Sequence, residues 1–234
     1  MKIFKIVCMA LIAGSLMIAE TSCNSLTNTG KGALIGGGGG AGVGAGVGAL
    51  IGGGKGAGIG AAIGAAVGAG AGALIGNKMD KQQKELEKQL AEQAKVEQTT
   101  DDNGLQAIKV TFDGGILFPT GKYTLNEQAK ADLSRFAANL KQNPGTDVRI
   151  LGFTDNTGSL AVNEKLSNDR AGAVLSYLAN QGVAATRMTS QGIPMADYVA
   201  SNDTAAGRAQ NRRVEIYIYA SPEMIKQAEA GTLK

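Results

Sequence analysis

The sequence predicts an α/β fold: a two-layer sandwich with a mixed β-sheet and helices on one face, preceded by a Gly-rich helical hairpin and a polar helix. Three observations carry this reading. Over residues 105–221, short β-rich apolar runs alternate with longer stretches of helical period. Residues 31–78 form a Gly/Ala tract that repeats itself, and from residue 79 the composition turns to Lys, Gln and Glu with few apolar positions.

Within 105–221, Ile108, Val110 and Phe112 alternate with other residues, which predicts a first strand over 107–112. Gly114-Gly115 reads as a turn into the short apolar run Ile116 to Phe118. Thr124-Leu125-Asn126-Glu127 has capping-box form, and Leu125, Ala129, Leu133, Phe136 and Leu140 follow at helical spacing until Asn143-Pro144-Gly145 stops the helix. Val148 to Phe153 is a β-rich apolar run and reads as a strand. A second helix runs from about Leu160 to Asn180 and closes at Gly182, followed by a short strand over 187–191. The alternation Val214-Glu215-Ile216-Tyr217-Ile218-Tyr219 is the last strand, and 222–234 is read as a C-terminal tail. The order β, α, β, α, β, β implies a mixed sheet covered by helices on one side.

A candidate site lies where the strand ending at Phe153 meets the polar stretch Asp155 to Ser159. Open α/β sheets place ligands beyond the carboxyl ends of their strands, and Asp155 sits there. On the following helix Leu166, Arg170, Val174 and Leu178 recur every four residues, with Asn163 one turn earlier on nearly the same side. Arg170 thus interrupts an apolar stripe, and a guanidinium there needs an anionic partner. Two partners fit: Asp155 in an internal salt bridge, or a zwitterionic ligand whose ammonium meets Asp155 while the planar fork of Arg170 takes its carboxylate.

The run Gly152-Phe153-Thr154-Asp155-Asn156-Thr157-Gly158, then Asn163, Leu166-Ser167, Arg170-Ala171, Asn202-Asp203-Thr204 and Gly207-Arg208-Ala209-Gln210-Asn211-Arg212-Arg213-Val214, resembles the C-terminal peptidoglycan-binding domain of the outer-membrane protein A family. The resemblance spans roughly Lys109 to Tyr219. It implies that Asp155 and Arg170 grip the amino and carboxylate ends of the diamino acid in the peptidoglycan stem peptide, with Thr154, Thr157, Asn163, Asn211 and Arg212 in the same ligand-binding set. The family often has His where this chain has Phe153, and Phe153 is expected only to repack the strand end. In the last strand, period two puts Arg212 in phase with the buried Val214, Ile216 and Ile218 and Arg213 out of phase. Arg212, with Asn211, is therefore expected at the pocket rim and Arg213 in solvent.

The amino terminus points to the cell envelope. Lys2 and Lys5 precede an apolar stretch, Ile6 to Ala19, too short to span a membrane comfortably, and Thr21-Ser22 lead to Cys23. This reads as a signal peptide over 1–22, and Glu20-Thr21-Ser22-Cys23 resembles a bacterial lipobox, with Glu20 in place of the usual apolar residue. Cys23 is the expected lipidation site at the head of a short segment, 23–30. Cys8 leaves with the signal, so the mature chain keeps no cysteine pair. Over 31–78, Lys31 to Gly54 and Lys55 to Lys78 are two copies that both open Lys-Gly-Ala, with small residues every fourth position at Gly56, Gly60, Gly64, Gly68 and Gly72. Such faces let helices approach closely in lipid, which predicts a membrane-associated glycine-zipper hairpin. A flexible Gly-rich linker is the alternative. Residues 79–104 are expected to be a spacer whose polar helix runs from Asn77 to about Gln98.

Function is bounded by composition. The net charge of +3 is too small to argue for nucleic acid, and the absence of His excludes histidine acid/base chemistry and His-liganded metal. No cofactor, metal or catalytic residue is implied. The sequence reads as a non-enzymatic outer-membrane lipoprotein with its C-terminal domain in the periplasm. Its expected partners are peptidoglycan, membrane lipid and, through the glycine repeat, further copies of itself. The rivals are a pore or seal formed by the repeat and a wall-modifying enzyme.

Overall fold

A computed structural model describes residues 69–91, 93–119 and 121–233. The expected signal segment, Cys23 and the glycine repeat as far as residue 68 lie outside the described residues. The helices are α1 (Ala69–Leu90), α2 (Gly114–Leu117), α3 (Glu127–Gln142), α4 (Leu160–Asn180), α5 (Ala205–Asn211) and α6 (Pro222–Glu229). The strands are β1 (Lys95–Thr100), β2 (Gln106–Asp113), β3 (Thr146–Phe153), β4 (Met188–Ile193) and β5 (Arg213–Ala220). They form one sheet in the order β1-β2-β5-β3-β4. β3 and β4 are parallel, joined by the α4 crossover, and the other pairs are antiparallel.

Period two sorts the two faces of the sheet. Ile108 pairs with Ile218, Val110 with Ile216 and Phe112 with Val214, and all six side chains are fully buried. Val148 and Ile150 of β3 extend this face. Leu133, Phe136 and Leu140 of α3 and Ala171, Val174 and Leu178 of α4 join it in one core. Lys109, Arg149 and Tyr217 lie in one row on the opposite face and stay partly exposed. The expected mixed sheet with helices on one face is what forms.

Several elements differ from the sequence reading. Residues 77–98 are not one polar helix: α1 ends at Leu90, and β1 adds an edge strand paired with β2 from Lys95↔Thr111 to Thr100↔Gln106. α1 is packed on the domain, with Ile75, Met79, Leu86 and Leu90 fully buried. Buried hydrogen bonds fasten it further: Gln82 Nε2 donates to Asn139 Oδ1 at 3.0 Å and Gln106 Nε2 to Asp80 Oδ1 at 2.6 Å. Gly114 and Gly115 open helix α2 where a turn was expected. At Gly114 the chain lies too close to Arg212 for a side chain: a Cβ there would strike the Arg212 carbonyl. The cap of α3 is Asn126, whose side chain accepts from Ala129 N, and not Thr124. The last two strands are separated by α5, and the C-terminal tail contains α6, which buries Met224 and Ala228.

Candidate ligand-binding site

The site is built by the close approach of α4 to the end of β3. A Cβ on Gly152 would run into the Ser167 carbonyl, so only glycine lets the helix lie this low, and Arg170 follows one turn after Ser167. Beyond Phe153 the chain leaves the sheet. Asp155, 6% exposed, accepts from Thr157 N at 2.9 Å through Oδ1, an Asx turn that fixes the loop, and from Arg212 Nη1 at 2.6 Å through Oδ2. Burial alone would raise the Asp155 carboxyl. The bonds from Arg212 and Thr157 outweigh it and hold the group below its ordinary value, so it is ionised at neutral pH.

Arg170 is 3% exposed, and its Nε donates to the Lys122 carbonyl at 3.1 Å while its guanidinium stands 5.3 Å from the Phe118 ring centroid. Its Nη1 is buried with no hydrogen-bond acceptor in the protein. Burial lowers its pKa first, repulsion from Arg212 adds to this, and attraction to Asp155 opposes it. The internal Asp155–Arg170 salt bridge that the sequence leaves open is not formed; the ion partner of Asp155 is Arg212.

Among the expected site residues, Asp155, Arg170, Arg212 and Thr157 come together, and Arg212 is partly exposed. The other three make their hydrogen bonds within the fold. Thr154 is buried and its Oγ1 accepts from Met195 N at 3.0 Å. Asn163 donates through Nδ2 to the Thr157 and Ser159 carbonyls at 2.8 and 3.1 Å, which braces the Asp155 loop from beneath. Asn211, fully buried, accepts from Val199 N and Ala200 N and donates to Ala200 O and Asn202 Oδ1, clasping the loop that follows β4.

Arg213 is the clear departure. Instead of facing solvent it is 5% exposed, with Nε 2.7 Å from Glu215 Oε1 and its guanidinium 3.8 Å from the Phe153 ring centroid. It does point away from the helical face, but the loop after β4 covers that position. Opposite charges two residues apart on one strand, Arg213 and Glu215, were a signal that could have revealed the pair. Lys122 and Phe118, which seat Arg170, carry no such signal because one acts through its backbone and the other through its ring.

Chemically, two guanidiniums face one carboxylate. Each Asp155 oxygen retains a lone pair after its present bond, and Arg170 Nη1 still has both its protons to donate. The arrangement can take an ammonium at Asp155 beside a carboxylate at Arg170. No group of three or more His, Cys, Asp or Glu among the described residues could hold a metal ion.

A model of the OmpA family matches residues 117–212, and a model of the YMGG-like Gly-zipper matches residues 1–80. The chain is 42% identical over 109 residues to the probable lipoprotein YiaD of Escherichia coli, covering 47% of this chain and 50% of that protein. It is 41% identical over 112 residues to the peptidoglycan-binding protein ArfA of Mycobacterium tuberculosis, covering 48% of this chain and 34% of that one. The chain thus spans half or less of the length of these curated relatives. Among solved structures, the cell wall anchor of the T6SS from Pseudomonas aeruginosa superposes with a TM-score of 0.51 at 32% identity, over 58% of this chain and 97% of that one.

Proposed function

We propose that this chain, whose residues 117–212 match a model of the OmpA family, ties an outer membrane to the cell wall by binding peptidoglycan noncovalently. Asp155 accepts from the ammonium of the stem-peptide diamino acid, Arg170 takes its carboxylate, and Arg212 closes the rim. The single observation that carries this reading is the buried Nη1 of Arg170 with no acceptor in the protein, near an Asp155 carboxylate that is already ionised. Leaving such a donor unmade costs about 1 to 3 kcal/mol, and an incoming carboxylate removes that cost. The peptidoglycan-binding and wall-anchor relatives support the same ligand class.

Anchoring to the membrane rests on the amino-terminal half. Cys23 carries lipid at the outer membrane, the glycine repeat associates with the membrane and with further copies, and the folded domain faces the periplasm. The Gly-zipper match and the likeness to a probable lipoprotein support this. Among the described residues no helix is long and apolar enough to cross a membrane. The groups of the site, an ionised carboxylate held by two hydrogen bonds and two guanidiniums, suit the binding and orienting of a charged ligand.

Full-length protein in mild detergent, mixed with purified sacculi and sedimented, tests the reading. Retention on the sacculi that a free diamino acid such as 2,6-diaminopimelate reverses is expected. A protein that stays in the supernatant would refute it.

A further inference from the structure

Next to the Asp155 loop the chain makes a second set of contacts. After β4 the loop 194–204 crosses the face of the sheet away from the helices. Met195 and Asp197 in it are the non-glycine residues with positive φ among the described residues, at +48° and +51°. Such conformations persist only where the surroundings over-determine them, and here they do. Arg213 Nη2 donates to the Asp197 carbonyl at 3.0 Å, Asn211 holds Val199 and Ala200, and Arg208 Nη1 donates to the Asn202 carbonyl at 2.7 Å. The loop returns the contact through Met195 N, which donates to Thr154 Oγ1, immediately before Asp155.

Arg213 stands at the centre of this arrangement. It grips the loop at Asp197, stacks on Phe153 two residues before Asp155, and opens β5 directly after Arg212, the ion partner of Asp155. Its own charge is met by Glu215 at 2.7 Å, and Glu215 is fixed in turn by the Tyr217 hydroxyl, which donates to Oε2 at 2.7 Å. The pair is 5% and 6% exposed, so its geometry is set by the fold and not by solvent.

On the footing of the peptidoglycan reading, we infer that Arg213 is a positioning residue for the wall-binding site. Seated on Phe153, it locks the loop 194–204 and through Met195–Thr154 and Arg212 sets where the Asp155 carboxylate stands. Phe153 is then more than a filler at the strand end: it is the ring on which the planar guanidinium rests. Arg213→Lys keeps the charge against Glu215 but has no planar fork to reach Asp197 and stack at once.

The test uses full-length protein in detergent, with purified sacculi as the probe, at a temperature well below the melting point of each variant. Arg213→Lys and Phe153→Leu should each weaken sacculus binding, by roughly ten- to a hundredfold for a displaced contact group. Amide exchange should separate positioning from general loss of structure: the Met195, Val199 and Ala200 amides should exchange faster in Arg213→Lys while the amides of Ile150 and Ile216 keep their wild-type protection. Wild-type binding with an unchanged Arg213→Lys affinity would overturn the inference alone. So would loss of binding accompanied by equal loss of protection at Ile150 and Ile216. A wild type that does not bind sacculi would overturn the functional reading and the inference with it.

Discussion

Replacing Leu86 with Ala should destabilise the folded domain although Leu86 lies in a stretch whose composition reads as a solvated spacer. The side chain is fully buried, in one cluster with Met79, Leu90 and the sheet. The α1 helix is also held by the Gln82–Asn139 and Asp80–Gln106 bonds, so the site cannot easily collapse around the lost carbons. Buried Leu→Ala changes cost roughly 2 to 5 kcal/mol, transfer and cavity together, and about 3 kcal/mol is expected here. For a domain of about 150 residues that corresponds to a fall in Tm of roughly 6 to 12 °C. Lys84→Ala, two residues earlier and exposed, should stay within about 0.5 kcal/mol. Urea unfolding followed by tyrosine fluorescence reads both, since the chain has no Trp and its five tyrosines, Tyr123, Tyr177, Tyr198, Tyr217 and Tyr219, all lie in the domain. Equal, near-zero effects of the two substitutions would mean that α1 stands free of the domain.

Burial pushes the Asp101 carboxyl up to about 6 from an ordinary 3.8, so the fold disfavours its charged form. The folded state therefore binds more protons than the unfolded one between pH 4 and 6, and stability falls as pH rises through that window, by at most about 3 kcal/mol at 1.36 kcal/mol per pH unit. Asp101→Asn, which keeps the oxygen that accepts from Leu105 N and Asn103 N, should flatten the stability profile there; an unchanged profile would contradict it. Asp155 runs the other way: its lowered pKa adds stability that is full above 3.8 and lost as pH falls below it, and Asp155→Asn should remove that acid-side loss in denaturant titrations at graded pH. Gly152→Ala should cost roughly 1 to 3 kcal/mol by pushing α4 off β3 and should weaken sacculus binding with it, measured by melts beside pull-downs. Cys23→Ser should abolish metabolic labelling by a fatty-acid analogue, whereas equal labelling of wild type and variant would exclude lipid at that residue.

Much of the site was legible because its signals are local. The strand over 148–153, the polar turn and Arg170 on an apolar helical stripe lie within some twenty positions of each other, and each follows from a period or a breaker residue. The partner of Asp155 was not legible, because Arg212 is brought to it from 57 residues away by the return of the chain through α5. Nor was the docking of α1: its buried face includes Asp80 and Gln82, whose polarity is offset only by Gln106 and Asn139 on distant elements. β1 escaped notice because an edge strand, half exposed and written Lys-Val-Glu-Gln-Thr-Thr, shows little apolar alternation. For Arg213 the strand phase was right and the inference from it wrong, since the face away from the helices is covered at that end by the loop 194–204.

Sacculus binding and thermal melting of Arg170→Ala, on the same preparation of full-length protein, address the site most directly. Within the protein Arg170 makes one hydrogen bond, to the Lys122 carbonyl, a ring contact with Phe118 and no ion pair among the described residues. If it is held for a ligand, Arg170→Ala should lose roughly 2 to 5 kcal/mol of binding while the melt stays close to wild type. A melt lowered by the roughly 3 to 5 kcal/mol that follows removal of one partner of a buried ion pair, with sacculus binding intact at low temperature, would show that Arg170 holds the fold and not the wall.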